Sequence, residues 1–150
     1  MNRVYPREEY CVACHLCEVF CRTEHSRHKD VITAHKNGPT PIKRIFLEQN
    51  GPVSLSINCR HCDEPLCVYS CVSGALTKDP VTGIVGYQAE KCIGCWTCIV
   101  GCPYGVITRD IAQGKIVKCD LCPGREVPAC VAGCPNGALV LAPGPSQGLA

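Results

Sequence analysis

The residues of this chain best suited to chemistry are its cysteines, 16 in 150 positions. They fall into four groups of four with none left over. The first is Cys11, Cys14, Cys17 and Cys21, spaced C-x2-C-x2-C-x3-C. The second is Cys59, Cys62, Cys67 and Cys71, spaced C-x2-C-x4-C-x3-C. The third is Cys92, Cys95, Cys98 and Cys102, which repeats the first spacing. The fourth is Cys119, Cys122, Cys130 and Cys134, spaced C-x2-C-x7-C-x3-C. A [4Fe-4S] cube takes one thiolate at each iron, and a C-x2-C-x2-C loop wraps three corners. In the run C-x2-C-x2-C-x3-C-P the last cysteine serves the other cluster of a pair. Cys92 to Pro103 matches that run in full, and Cys11 to Cys21 matches all but the proline. The spacing supports four [4Fe-4S] clusters.

Two other uses of cysteine compete. Disulfides need an oxidising compartment. The N-terminal Met1–Tyr10 has no apolar h-region, twin arginine or small-residue cleavage site, so a cytoplasmic chain with thiolate cysteines is expected. Zinc ribbons use two separated C-x2-C pairs, not four cysteines within 11 residues ending in C-x3-C-P.

The formal charge of +2 counts every cysteine as neutral. Four oxidised clusters on four thiolates each bring the loaded chain to about −6, since a bound metal group is often the largest local charge. Nucleic-acid binding finds no support in that balance. The sequence has no run of 18 apolar residues, so no direct membrane insertion is expected.

The elements that must position the cysteines are short. Ile42–Glu48 and Val53–Ile57 flank the turn Gln49-Asn50-Gly51-Pro52. Ala75–Thr77 and Ile84–Tyr87 flank Lys78–Gly83, and Val106–Arg109 and Lys115–Lys118 flank Asp110–Gly114. These read as antiparallel hairpins, with helical turns around each C-x3-C, giving an α+β chain organised by metal. The last three groups run on into Gly74-Ala75-Leu76, Gly105-Val106-Ile107 and Gly137-Ala138-Leu139. Group one has Arg22-Thr23-Glu24 instead and is the divergent copy. Residues 22–41 read as a surface loop, and the Pro143–Ala150 tail as flexible until something binds it. The Arg22–Arg44 stretch has six Lys/Arg against Glu24 and Asp30. It is either a solvated loop or a docking patch for an acidic partner.

Cys59-Arg60-His61-Cys62-Asp63-Glu64-Pro65-Leu66-Cys67, Lys91-Cys92-Ile93-Gly94-Cys95-Trp96-Thr97-Cys98 and Lys118-Cys119-Asp120-Leu121-Cys122 carry a resemblance that covers about residues 8–141. The chain resembles the polyferredoxin-type electron-transfer subunits of multi-subunit oxidoreductases, which serve molybdenum, tungsten or nickel enzymes such as formate dehydrogenases, hydrogenases, aldehyde oxidoreductases and CO dehydrogenases. The resemblance implies two ferredoxin-like dicluster halves with nested pairing of the groups. Cys11, Cys14, Cys17 and Cys134 would hold cluster 1. Cys119, Cys122, Cys130 and Cys21 would hold cluster 2. Cys59, Cys62, Cys67 and Cys102 would hold cluster 3, and Cys92, Cys95, Cys98 and Cys71 cluster 4. Half A would then be about 8–40 with 108–141, half B about 54–107, within one four-cluster unit followed by a 142–150 tail. Some relatives hold a [3Fe-4S] cluster at the third group, but here that group is complete.

His15 and His61 lie between cluster cysteines and are expected to be hydrogen-bond donors or surface residues rather than ligands, since 16 thiolates already fill four sites. Trp96 is expected to pack over a cluster and exclude water. The sequence holds no Ser-His-Asp set, phosphate loop or GxGxxG, and a fully thiolate-bound cluster has no open iron. The expected role is therefore electron relay without an active site of the chain's own. The expected partners are a tungsten, molybdenum or nickel catalytic subunit and a flavin- or NAD-binding subunit, with self-stacking through the ends a further possibility. A free soluble polyferredoxin carrier is the alternative, and a zinc structural module the remote one.

Overall fold

Turn-forming residues cut the chain into short pieces. The computed structural model describes residues 2–36 and 39–144, and within them the longest element has nine residues. Eight strands form four two-stranded antiparallel ladders. β2 (Ile45–Asn50) pairs with β3 (Val53–Asn58), β4 (Leu76–Lys78) with β5 (Val85–Tyr87), and β6 (Thr108–Asp110) with β7 (Lys115–Val117). These are the three hairpins that the turn residues mark out. The fourth ladder joins the ends of the described chain. β1 (Asn2–Pro6) pairs with β8 (Leu139–Pro143), Asn2 opposite Pro143 and Pro6 opposite Leu139. The tail expected at 142–150 is thus corrected at Ala142 and Pro143, which belong to a strand; residues 145–150 lie outside the described residues.

The loop expected over 22–41 is also corrected. Group one lacks the Gly that stands three residues after the last cysteine of each other group, and the Pro103 and Pro135 that follow groups three and four, so nothing stops its helix. α1 runs Leu16–Glu24, through Cys21, while α3 (Leu66–Tyr69), α4 (Thr97–Val100) and α5 (Ala129–Ala132) have four residues each. In the other three groups, Gly74, Gly105 and Gly137 take φ near +62° three residues after the last cysteine, and each N–H bonds back to that cysteine's carbonyl. Glu24 stands at the corresponding place in group one and keeps α1 helical. α2 (Val31–Lys36) follows, started by Asp30, whose Oδ1 accepts from the Thr33 N–H at 2.8 Å. That is an ordinary N-cap.

Two cores result. Val4, Cys17, Cys21, Ile45, Cys130 and Leu139 form the first. Leu76, Val85, Cys98, Ile107 and Ile116 form the second, with Cys67, Cys71, Cys92, Cys102 and Trp96 packed on it. The first draws on groups one and four, the second on groups two and three. Val4 and Ile45 lie outside 8–40, and Ile116 outside 54–107, so each core recruits beyond the sequence ranges given to the halves. Polar ties join the two. Arg3 pairs with Asp63, the Arg60 guanidinium donates to the Val4 carbonyl at 2.9 Å, and Lys118 donates to the Val85 carbonyl at 2.6 Å.

Candidate metal centres

Each C-x2-C loop is wound by a left-handed residue just before its second cysteine: Ala13 (φ 53°), His61 (45°), Gly94 (72°) and Leu121 (61°). Groups one and three add a second just after it, His15 (59°) and Trp96 (64°), as their shared spacing requires. Of the seven non-glycine residues with positive φ among those described, six lie inside cysteine groups; Lys29 is the seventh. An L-residue there costs about 1–2 kcal/mol, and such strain gathers where function over-determines the backbone. Loops of this kind turn N–H groups toward their concave side, as in anion-binding nests. Gly94 carries a further demand, because a Cβ there would stand 2.6 Å from the Gly114 carbonyl oxygen.

All 16 thiols are free, and they converge in fours. Cys11, Cys14, Cys17 and Cys134 line a small pocket with Tyr10, Val12 and Leu139. Cys71, Cys92, Cys95 and Cys98 line another with Trp96 and Tyr87. Cys130 lies within electrostatic reach of Cys119, Cys21 and Cys122, and Cys67 within reach of Cys59, Cys102 and Cys62. The sets also touch in sequence. Cys17 of the first bears on Cys130, Cys59 bears on Cys119, and Cys67 bears on Cys98. The exposed cysteines are Cys14 and Cys95.

Burial pushes the Cys119 thiol up to about 12 and Cys67 and Cys98 up to about 11, the thiols around the latter two adding to the shift; Cys130 is pushed higher still. Without a cation these groups stay protonated, so binding metal must release their protons. The donor set fits iron–sulfur clusters: soft thiolates in fours, in backbone loops that favour an anion, with hydrogen bonds ready for the sulfur. Ser56 Oγ lies 3.2 Å from Cys17 Sγ, the Arg44 N–H donates to Cys21 Sγ at 3.3 Å, and the Leu76 N–H to Cys71 Sγ at 3.4 Å.

Neither candidate histidine meets a thiol. His15 is exposed and faces Glu18 at 3.4 Å. His61 is fully buried, with Nδ1 accepting from the Val85 N–H at 3.0 Å. Burial, then the charges of Lys118 and Arg3, pull it down to about 3, so it is neutral. Trp96 lines the Cys95 cavity, with the Arg109 guanidinium 5.1 Å from its ring centre. The residue that the cysteine pattern hides is His25. It lies one helical turn past Cys21, donating from Nδ1 to the Cys21 carbonyl (2.8 Å) and from Nε2 to Asp120 (3.1 Å). Although burial pulls it down, the bonds to Asp120 and Cys21 raise it to about 9. Burial pushes the Asp120 carboxyl up, but the bond from His25 and the Arg44 charge hold it well below the usual range. The i, i+4 spacing to Cys21 was the available signal; Asp120, 95 residues on, could not be paired with it from sequence.

A profile of the 4Fe-4S dicluster domain matches residues 53–143. The chain belongs to the 4Fe-4S dicluster domain family. The electron transport protein HydN of Escherichia coli K12 is 36% identical over 157 residues, covering 93% of this chain and 87% of that one. The beta subunit of the NADH-dependent phenylglyoxylate dehydrogenase of Aromatoleum evansii is 51% identical over 81 residues, 54% of this chain. The chain spans only 18% of that subunit's length, and 22% of the putative oxidoreductase AegA of E. coli K12, to which it is 36% identical over 150 residues. Among solved structures, the BamBC complex of benzoyl coenzyme A reductase with benzoyl-CoA has a chain with the same fold. The TM-score is 0.53 at 21% identity, over 95% of this chain and 79% of that one. The relatives it matches include an electron transport protein and the iron–sulfur subunit of a formate dehydrogenase. No helix among the described residues is long and apolar enough to cross a membrane.

Proposed function

We propose that the chain carries four [4Fe-4S] clusters in the nested sets and relays electrons along them between a catalytic metal-cofactor subunit and a second acceptor. What supports this reading is that Cys17 is an electrostatic neighbour of Cys130, Cys59 of Cys119 and Cys67 of Cys98, which would link the sets in the order 1-2-3-4, with the exposed Cys14 and Cys95 in sets 1 and 4. Bound there, a cluster supplies a one-electron store with no open coordination position. The chain's residues hold these stores close together, leave no cysteine of the second and third sets exposed, and keep Cys14 and Cys95 at the surface where partners dock. Apolar residues stand exposed around both ends: Tyr10, Val12 and Leu16 at one, Ile93, Val100, Leu66 and Tyr69 at the other. Fixed subunit interfaces need apolar surface of this kind.

On this reading the chain has no active site of its own and works in the cytoplasm. The catalytic partner is a tungsten, molybdenum or nickel enzyme, and the acceptor a flavin- or NAD-binding subunit. The NADH dependence printed in the name of the Aromatoleum relative supports the latter, and the formate dehydrogenase iron–sulfur subunit of E. coli K12, 32% identical over 146 residues, supports the former. A free carrier is the second reading, favoured by HydN, whose length this chain nearly spans. Oxygen-free purification from the native cell tests both. Co-elution with a metal-cofactor subunit and a flavin subunit bears out the relay; elution alone with iron and sulfide makes the chain a mobile carrier. Iron and sulfide below what four cubes require would end the four-cluster reading.

A further inference from the structure

The junction between the second and third quartets holds a buried lysine. Lys118 is 3% exposed, and its Nζ donates to the Val85 carbonyl at 2.6 Å and the Cys119 carbonyl at 2.6 Å. Val85 belongs to the second core and Cys119 to the second quartet, so the ammonium is clamped from both sides. Among the described residues no carboxylate lies within ion-pair distance of it. The nearby Asp120 is engaged by His25 and Arg44, and Asp63 by Arg3 and Lys78. His61 at this junction is neutral, and Arg3, whose charge also bears on it, is paired with Asp63. A buried ammonium without a counter-charge is strongly unfavourable, so an anion must compensate it. The remaining anionic groups in reach are the thiolate quartets: the Lys118 charge bears on Cys119 of the second and on Cys67 of the third.

We propose that Lys118 is the fixed counter-charge of the two central clusters and holds their reduction potentials above those they would have without it. The proposal rests on the four-cluster reading. Adding an electron to either central site adds a negative charge beside the clamped ammonium. In a site closed to water that attraction is only weakly screened, so the reduced form is favoured. Charge at a cluster is one of the factors that set such potentials. The arrangement makes the middle of the relay easier to reduce and stops it from being a barrier between the ends. Lys118 touches no substrate; it acts as a positioning charge.

The test compares wild type, Lys118→Gln and Lys118→Arg in the full chain, loaded and handled without oxygen. Iron and sulfide content is measured first, then an electron-paramagnetic-resonance redox titration. Gln keeps donors for the two carbonyls and loses the charge. The expected result is full iron in all three proteins and lower potentials for two of the four clusters in Lys118→Gln. The shift should be at least a tenfold change in reduced-to-oxidised ratio at fixed potential, about 59 mV for a one-electron couple. The end clusters should stay put, and Lys118→Arg should keep wild-type values. Four loaded clusters with unchanged potentials in Lys118→Gln would overturn the proposal. If Lys118→Gln loses clusters, wild type labelled with Nζ-15N lysine replaces it. Partly reduced protein should then show a 15N hyperfine coupling that Lys118→Arg lacks, and its absence would sink the idea. A wild type with less iron than four cubes need fails the four-cluster reading instead, and so is told apart.

Discussion

At the scale of single residues, the backbone carries the clearest imprint of the metal sites. Ala13, His61 and Leu121 hold left-handed φ values that only glycine adopts freely. Ala13 is the residue on which to test this, because its side chain is small. Ala13→Gly should raise the denaturant midpoint of the loaded protein, by up to about 1 kcal/mol, and Ala13→Val should lower it by about 1–2 kcal/mol. Both are read from loss of cluster absorbance in an anaerobic titration. If the two variants shift the midpoint alike, the strain is not there. A glycine was legible in the sequence at this place only in group three. The close carbonyl of Gly114 explains why that group has a glycine while the others carry side chains.

At the scale of elements, what the sequence made legible was local. The cysteine spacing marked the four helical turns, and the Gly- and Asp-containing turns marked three hairpins. α2 was missed because its cap, Asp30 with Thr33, lies in a stretch with little apolar periodicity. The β1–β8 ladder was missed because its strands lie over 130 residues apart and neither has a hairpin turn to announce it. The relation of Asp120 to His25 is non-local in the same way. Packing of α1 against α5 depends on a further detail of this kind. A Cβ on Gly133 would stand 2.1 Å from the Phe20 ring. Gly133→Ala should destabilise the loaded protein by about 1–3 kcal/mol, the usual cost of overpacking, and Gly133→Ala with Phe20→Leu should recover most of that. Thermal loss of the visible spectrum measures both, and no recovery in the double variant would show that the ring is not what Gly133 makes room for.

At the scale of the whole molecule, cluster cysteines are part of both cores, so metal and fold are one problem. Stripping iron with a chelator and reductant under argon should therefore collapse the circular dichroism of the chain, because site formation is folding free energy. A native-like spectrum after iron removal would contradict this. Charge at the surface belongs to the same scale. Arg27 and Lys36 are exposed, and Lys29 pairs with Glu24 in solvent. Neutralising Arg27, Lys29 and Lys36 together should slow association with an acidic partner and make it less salt-sensitive; unchanged association across salt would assign them to solvation alone. The β1–β8 ladder carries one more consequence, which concerns time. Its two strands leave the ribosome far apart in time, as do Cys11 and Cys134, which line one pocket. A segment cannot finish folding before its partner has emerged. The inner core around Leu76 and Ile107 has all its residues available by Ile116, while β1 and the first cysteine group must wait for Cys134 and β8. During synthesis the inner region is therefore ready for metal first, and the outer one is finished last by its final strand.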